Sequence, residues 1–187
     1  MKGDNEKKIL LDSDVIRHFI KGGALLDLPK IYPDRLVLLK NVKDELCRSK
    51  SLDTIVHSFV SFCRIELRDF PNDNINVLKA FAELKKEGKG EGESAVMALA
   101  RYSKDIIASS NLKDIAVYCS THEIEYLTTM DILIQAKISG LYTESKCDEI
   151  IKAILDGGSR LPCNSISKYQ SILNEKIKKT IEKEKSL

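Results

Sequence analysis

Short apolar runs alternate along the chain with longer stretches in which apolar residues recur every three or four positions. The first run, Ile9-Leu10-Leu11, ends at Asp12 and has the continuous apolar character of a buried parallel strand. Four further segments have strand character: residues 35–39, 64–67, 105–108 and 124–127. Strands separated by helical stretches are typical of βα units. The pattern therefore predicts an α/β fold with three α/β/α layers around a central parallel sheet.

The helical stretches each carry an apolar face. They cover residues 14–20, 51–63, 75–86, 93–102, 112–122 and 131–139, with one more around residues 42–46. A last helix over residues 164–185 has an apolar stripe that includes Ile166, Tyr169 and Leu173. We expect residues 8–142 to form the main domain and residues 143–187 a helical extension packed on it. The stripe of the last helix predicts packing on the domain or, alternatively, contact with a partner such as a second copy.

Composition narrows the class of protein without naming a function. The chain has 187 residues, 43% of them hydrophobic and 31% charged, which is typical of one globular domain and not of a disordered chain. The net charge of +2 neither requires nor excludes a nucleic-acid partner. The polar start and the lack of a long apolar run predict no signal peptide and no membrane span. Five scattered cysteines without a CxxC pair favour a reducing cytoplasm.

Carboxylates occur where predicted strands end or predicted helices begin. Asp12 ends the first strand, Asp14 opens the next helix, Glu45 lies on a helix one turn after Val42, and Glu93 and Asp131 begin two more. In an open parallel sheet such positions converge on one crevice at the carboxyl edge. Convergent carboxylates repel one another unless a divalent cation neutralises them. The set therefore predicts a hard-metal site built from oxygen ligands.

Some of these acids also have simple structural explanations. Asp12 follows three apolar residues, where an unpaired charge is costly, so a functional role is favoured there. Ser13 or Asp14 is equally suited to cap the following helix. Glu45 is as compatible with a solvated ion pair as with a site.

The two later acids carry the same ambiguity. Glu93 complements the dipole of its helix, and Glu91, two residues earlier, is able to do the same. Asp131 is able to complement its own helix while Thr128 and Thr129 cap it. For these positions the sequence leaves both explanations open.

Three of the acidic segments together resemble the PIN-domain (PilT N-terminus) family of metal-dependent nucleases, over roughly residues 8–142. Leu10-Leu11-Asp12-Ser13-Asp14 is similar to the family's opening strand motif, whose aspartate is the first metal ligand. Val42-Lys43-Asp44-Glu45-Leu46 is similar to the helix carrying the second acid, which makes Glu45 its counterpart. Gly92-Glu93-Ser94-Ala95 resembles the glycine–acid–helix segment, which makes Glu93 the third acid.

The chain departs from the family pattern at the fourth acid. That acid normally follows the next strand, where this chain reads Ala108-Ser109-Ser110-Asn111 with no carboxylate. Asn111 offers a neutral oxygen there, and Asp114 lies one helical turn further on. Asp131, after the final strand, is the candidate for supplying the missing charge.

The resemblance implies Mg²⁺- or Mn²⁺-dependent hydrolysis of phosphodiester bonds, with single-stranded RNA as the expected substrate. Asp12, Glu45 and Glu93 are then the catalytic acids and metal ligands, and Asp14 and Asp131 secondary ligands. The residues expected to contact substrate are Ser13, Ser109, Asn111, Arg17 and Arg48. The resemblance also extends to toxins neutralised by an antitoxin protein, and a homodimer is a further partner to test.

Two other functions remain open. A strand that ends in Asp12-Ser13-Asp14 also resembles the haloacid dehalogenase-like phosphatases, in which the first aspartate is the nucleophile. That reading lacks a later acidic pair and leaves Glu45 and Glu93 without a role. The missing fourth acid favours instead a catalytically degenerate PIN-like module that binds nucleic acid or protein.

Overall fold

The structure is a computed structural model that describes residues 6–184, except for the side chains of residues 180, 183 and 184. The predicted polar start falls mostly on residues 1–5, which lie outside the described residues. The predicted end of the last helix at Lys185 and the end of the extension at residue 187 also lie outside them.

Five parallel strands form one sheet in the order β3-β2-β1-β4-β5. The strands are β1 (Ile9–Leu11), β2 (Leu36–Leu39), β3 (Glu66–Arg68), β4 (Ile106–Ala108) and β5 (Tyr126–Leu127). The chain builds β1, β2 and β3 towards one edge and then returns to place β4 and β5 on the other side of β1. The crevice at the carboxyl ends of β1 and β4 is therefore the topological switch point, where open α/β sheets bind ligands.

Ten α-helices flank this sheet in the described part of the chain, which confirms the predicted α/β class. They are α1 (Ser13–Lys21), α2 (Leu28–Ile31), α3 (Lys40–Cys47), α4 (Lys50–Phe62), α5 (Ile75–Lys86), α6 (Glu91–Ser103), α7 (Leu112–His122), α8 (Thr129–Ile138), α9 (Glu144–Asp156) and α10 (Ile166–Glu184). The predictions for α5 and α7 are confirmed to the residue. The sequence pattern missed α2 and the 3₁₀ turn before it, Leu25–Asp27.

The core lies on both sides of the central strands. Every residue of β1, β2 and β4 is buried, as expected for parallel strands covered on both faces. Helix α6 contacts all three of these strands and buries Gly92 and a continuous run from Ser94 to Ala100. The edge strand β3 is partly exposed along its length. The contacts of α6 place its first turn beside the carboxyl edge of the sheet.

The last two helices pack on α8 and on each other, and α9 also contacts α1. Ile166 at the start of α10 is buried, whereas Ile177 and Ile181 further along it are 56% and 45% exposed. The predicted apolar stripe is therefore covered only in its first half. Among the described residues, no helix combines the length and apolarity required to cross a membrane.

Candidate acidic functional site

Asp12 lies at the junction between β1 and α1. Its backbone N–H donates to the Ala108 carbonyl at 3.0 Å, which extends the pairing of β1 with β4. Its carboxylate accepts a hydrogen bond from the Ser13 N–H at 2.7 Å, so Asp12 itself caps α1. The residue is only 5% exposed. Burial, followed by repulsion from Asp14, raises the pKa of the Asp12 carboxyl to about 7.

Asp14 ties this junction to the corresponding junction after β4. Its carboxylate accepts hydrogen bonds from the backbone N–H groups of Val15 at 2.6 Å and Ser110 at 2.7 Å. The Ser109 hydroxyl donates a third bond at 3.3 Å. Burial nevertheless raises the pKa of Asp14, although these bonds favour the ionised form. Asp14 is therefore held firmly between β1 and β4.

Glu45 reaches from α3 to the first turns of two other helices. It accepts a hydrogen bond from the Ser13 hydroxyl at 3.0 Å and another from the Gly92 N–H at 3.2 Å. A Cβ at position 92 would lie 2.9 Å from Glu45 Oε2 and 3.1 Å from Val42 Cγ2. Only glycine permits this close approach of α6 to α3. The glycine of the Gly92-Glu93 segment thus has a direct steric role beside an acidic side chain.

Glu93 is the half-buried acid of the α6 first turn. Its Oε1 atom is buried and has no hydrogen-bond partner within residues 6–184. Burial raises the pKa of Glu93, and repulsion from Asp114 and Asp14 adds to the increase, while Lys89 opposes it. Glu91 instead faces the surface, where it contacts Asn41 and Arg48. The structure thereby separates two acids that the sequence did not distinguish.

Lys89 and Asp114 lie close enough to Glu93 to change its pKa. The sequence pattern pointed to Asp114 only as an acid one turn beyond the missing fourth position, and it did not point to Lys89. The Lys89 ammonium lies 3.1 Å from Asp114 Oδ1, with only 13% of the lysine side chain exposed. Asn111 Nδ2 donates a short hydrogen bond to the other Asp114 oxygen. Asp114 therefore supplies a carboxylate near the junction that the sequence left without one. In the sequence, the three-residue spacing of Asn111 and Asp114 was the feature that indicated their contact, because residues three apart are neighbours at the start of a helix.

The predicted substrate-contacting residues fall into two groups. Ser13 and Ser109 lie inside the cluster, where their hydroxyls donate to Glu45 and Asp14 respectively. Arg17 is partly buried one turn after Ser13 on α1. Arg48 lies at the end of α3, 3.7 Å from Glu91, with 72% of its side chain exposed. Ser13, Ser109 and Arg17 thus occupy or adjoin the cluster, and Arg48 lies at the surface near the start of α6.

Asp131 is fully engaged in capping α8. Its Oδ2 atom accepts hydrogen bonds from both the N–H and the hydroxyl of Thr128, and the Asp131 N–H donates to the Thr128 hydroxyl oxygen to complete a capping box. Its Oδ1 atom accepts a bond from the Tyr169 hydroxyl at 2.8 Å. The structural alternative for this residue is confirmed. Both oxygens are committed to α8 and α10, which leaves Asp131 poorly placed to replace the fourth acid.

A polar chain connects His18 to the cluster. His18 Nδ1 lies 2.8 Å from the Thr129 hydroxyl, which in turn lies 2.8 Å from the Ser110 hydroxyl. The Ser110 N–H donates to Asp14. Burial lowers the pKa of His18 to about 4, so the imidazole is neutral at pH 7. The sequence gave His18 no role because its partner lies 111 residues away.

The cluster has the donor set and the electrostatics for a divalent cation. Asp12, Asp14, Glu45 and Glu93 are oxygen ligands, and helices α1, α6 and α7 begin beside them with their positive ends. Glu93 Oε1 is buried without a partner in the described part of the chain, so a donor or a cation would satisfy it. Mg²⁺ is commonly held by one or two carboxylates and several waters, so the acids need not all touch the ion.

Ligand atoms converge more tightly at another position. Within residues 6–184, three Cys, Asp, Glu or His ligand atoms lie within 4.8 Å of one another only at Cys47, Asp53 and His57. This group is partly exposed, and His57 lies 3.4 Å from Asp53 as an ion pair within α4. The carboxylates of the acidic cluster are spaced more widely than this. They fit an ion that keeps part of its water shell better than a cage of direct ligands.

Comparison with known proteins adds no identification. No family profile matches the sequence, and no curated protein matches it.

Proposed function

We propose that this protein is a PIN-like, Mg²⁺- or Mn²⁺-dependent ribonuclease whose active site is the acidic cluster. One observation carries the proposal. Carboxylates from three chain segments, of which Asp12 is buried and the others are half-buried, meet at the switch point of a parallel sheet, and one of their oxygens, Glu93 Oε1, has no hydrogen-bond partner among the described residues. Structural ion pairing does not account for such a group, because Lys89, the base whose charge favours ionised Glu93, is itself paired with Asp114.

Asp12, Glu45 and Glu93 are the proposed metal-holding residues. Asp14 is a further acid, and it links the segments that follow β1 and β4 at the crevice. When bound, the ion would activate water and neutralise charge on the leaving oxygen. Asp131 is left out of this set because its oxygens cap α8 and accept from Tyr169. Asp114 takes its place as the additional acid near Glu93.

The residues around the cluster would bind the RNA backbone. Arg17 and Lys89 supply positive charge next to the carboxylates, Arg48 supplies it at the surface, and Ser13, Ser109 and Asn111 supply hydrogen-bond donors. Single-stranded RNA is the proposed substrate because its bases are accessible to side chains, unlike those in the deep groove of an A-form helix. An antitoxin stays a prediction from the family resemblance, and a homodimer stays a prediction from the apolar stripe of α10.

Cleavage of mixed single-stranded RNA tests this proposal directly. Purified protein is incubated with Mg²⁺, Mn²⁺ or EDTA, and Asp12→Asn and Glu93→Gln are compared with the wild type. We expect metal-dependent cleavage that falls at least about 100-fold in both variants, as for removal of a group that acts in the transition state. Glu91→Gln is the matched control, because Glu91 lies in the same helical turn but faces the surface.

A degenerate binding module is the second candidate, and a specific contact favours it. The Lys89–Asp114 ion pair lies beside Glu93, where it partly offsets the negative charge that would otherwise attract a metal. RNA binding by folded protein without cleavage in any metal would identify this case. Cleavage that persists in Asp12→Asn and Glu93→Gln would contradict the proposed active site.

A further inference from the structure

A cavity of about 490 Å³ opens next to the acidic cluster, between the carboxyl ends of β4 and β5 and helix α10. Ser110 belongs to both places. It lines the cavity, and its N–H donates to Asp14 at 2.7 Å. A ligand in the cavity would therefore lie beside the carboxylates. The volume lies within the range of about 300–1,000 Å³ that is typical of small-ligand sites.

The lining combines flat apolar surface with a polar side. Leu112, Tyr126 and Leu127 come from the sheet edge and α7, and Leu161 and Pro162 come from the loop before α10. Tyr126 is 38% exposed, so part of the residue remains accessible. Polar groups of Ser110, Thr128, Asp131 and Tyr169 line the remaining surface. An unstacked nucleobase needs this combination, because its faces stack on apolar and aromatic groups while its edge carries hydrogen-bonding atoms.

Charge around the cavity runs from negative to positive. The acidic cluster lies beyond Ser110, while Arg160 and Lys176 line the cavity from the loop before α10 and from α10 itself. A polynucleotide has phosphates on both sides of every base. One phosphate would then lie at the acidic cluster with its metal, and the next would lie towards Arg160 and Lys176.

We propose that this cavity binds the base of a nucleotide adjacent to the scissile phosphate of single-stranded RNA. The inference rests on the proposed nuclease function and assigns a role to the C-terminal helices. Helix α10 forms one wall through Tyr169, Ile172 and Leu173. That helix is positioned by the Tyr169 hydroxyl bond to Asp131 and by the Ile166 N–H bond to Asp148. Base preference at this subsite would therefore depend on α10.

Two substitutions on α10 form the central experiment. Ile172 lines the cavity and is 36% exposed, whereas Ile177 is 56% exposed and lies outside the cavity lining on the same helix. We expect Ile172→Trp to fill the cavity and to weaken RNA binding about tenfold, within the range produced by loss of one stacked base. Ile177→Trp, which adds the same indole, should bind like the wild type. Fluorescence anisotropy with a short labelled single-stranded RNA measures the dissociation constants.

A second set of substrates tests the base itself. In each RNA one nucleotide keeps its ribose and phosphate but lacks its base. We expect the wild type to lose about tenfold in affinity when the missing base is the one next to the cleaved bond. The Ile172→Trp protein should bind the RNA that lacks this base as well as it binds the complete RNA, because the substitution and the missing base remove the same contact. Tyr126→Ala, with Tyr102→Ala as an exposed aromatic control, repeats the test without adding bulk.

The outcomes separate this inference from the function on which it rests. Cleavage that depends on Asp12, with unchanged binding and base preference in folded Ile172→Trp and Tyr126→Ala, would overturn the subsite and leave the nuclease intact. A wild-type protein that neither binds nor cleaves RNA would overturn both. Additive losses from the cavity variant and the missing base would also overturn the subsite. Circular dichroism verifies that each variant is folded.

Discussion

His18 is a buried, neutral imidazole that joins α1 to α8 through Thr129. Its folded-state pKa of about 4 lies below the ordinary histidine value of 6.5, because burial disfavours the charged form. Between these two values the unfolded chain binds a proton that the folded chain does not. Stability contributed by the neutral His18 is therefore present above pH 6.5 and is lost as the pH falls towards 4.

His18→Asn tests this linkage. Asparagine retains a hydrogen-bonding group near the position of Nδ1 but does not titrate in this range. The free energy of unfolding of the variant should therefore fall less between pH 7.5 and pH 4.5 than that of the wild type. We expect the wild type to lose on the order of 2 kcal/mol more than the variant over this range. Urea unfolding followed by circular dichroism supplies the two values. Parallel losses in wild type and variant would contradict a depressed pKa, and His57→Asn on the exposed side of α4 controls for imidazole removal.

At the scale of elements, α6 approaches α3 closely at Gly92. The space for a Cβ is taken by Glu45 Oε2 at 2.9 Å and Val42 Cγ2 at 3.1 Å. The backbone N–H of Gly92 also donates to Glu45. The packing of α6 against α3 and the position of Glu45, a proposed metal ligand, therefore both depend on the lack of a side chain at Gly92.

Gly92→Ala should affect stability and activity together. The added methyl group would push α6 and α3 apart, at a cost of about 1–3 kcal/mol, despite the better helix propensity of alanine. Glu45 would shift with α3, and cleavage should fall more than the loss of folded protein explains. Chemical denaturation and activity per folded molecule are the paired measurements. Gly90→Ala is the control, because a Cβ there meets nothing closer than 3.8 Å. A stabilised and fully active Gly92→Ala protein would show that the close contact between α6 and α3 does not require glycine at position 92.

Many of the helices and strands could be predicted from the sequence pattern. The apolar runs located all five strands, and helical periodicity located α5 and α7 to the residue. It missed α2 because this helix has four residues, too few to display a period, and contains Pro29. For Glu91 and Glu93 the pattern gave no answer, because both acids occupy the first turn of α6. Only the packing of α6 against the sheet determines which of the two is buried.

The residues that the sequence missed or could not assign share one physical property, which is that their partners are distant in the chain. Lys89 pairs with Asp114 across 25 residues, and Asp131 accepts from Tyr169 across 38. Local spacing carries no information on such pairs. The sequence could therefore indicate the edge of the sheet at which acids gather. It could not decide which of them are already satisfied.

For the whole molecule, folding brings together carboxylates that repel one another. The pKa of Asp12 rises from 3.8 to about 7 in the folded state, chiefly through burial and then through the charge of Asp14. A raised pKa means that stability from the protonated group is complete below pH 3.8 and is lost as the pH rises through 7. Without a cation the folded protein is therefore under electrostatic strain at alkaline pH, which a bound ion would relieve.

Thermal melting at pH 8 checks this consequence. In EDTA, Asp12→Asn should melt several degrees above the wild type, because the amide keeps the acceptor for the Ser13 N–H and removes the charge. Mg²⁺ at about 100 times its dissociation constant should stabilise the wild type by about 2.7 kcal/mol, which corresponds to a rise of roughly 5–10 °C.

The same melting experiments with Mg²⁺ and EDTA distinguish a specific role of Asp12 from a general effect of salt. Mg²⁺ should raise the melting temperature of Asp12→Asn much less than that of the wild type, and the EDTA difference between the two proteins should shrink at pH 5. Glu91→Gln should respond to Mg²⁺ like the wild type. A wild-type melting temperature that ignores Mg²⁺ would argue against metal binding at this cluster.

Helix α10 has a further consequence through the order in which the chain is made. It lies after every acidic residue of the cluster, so it leaves the ribosome later than they do. The sheet and its carboxylates are able to assemble while one wall of the neighbouring cavity has not yet been synthesised. If that wall holds the base, a growing chain surrounded by ribosomal and messenger RNA lacks a complete substrate site. The late arrival of α10 would then delay activity until the protein moves away from the RNA closest to it.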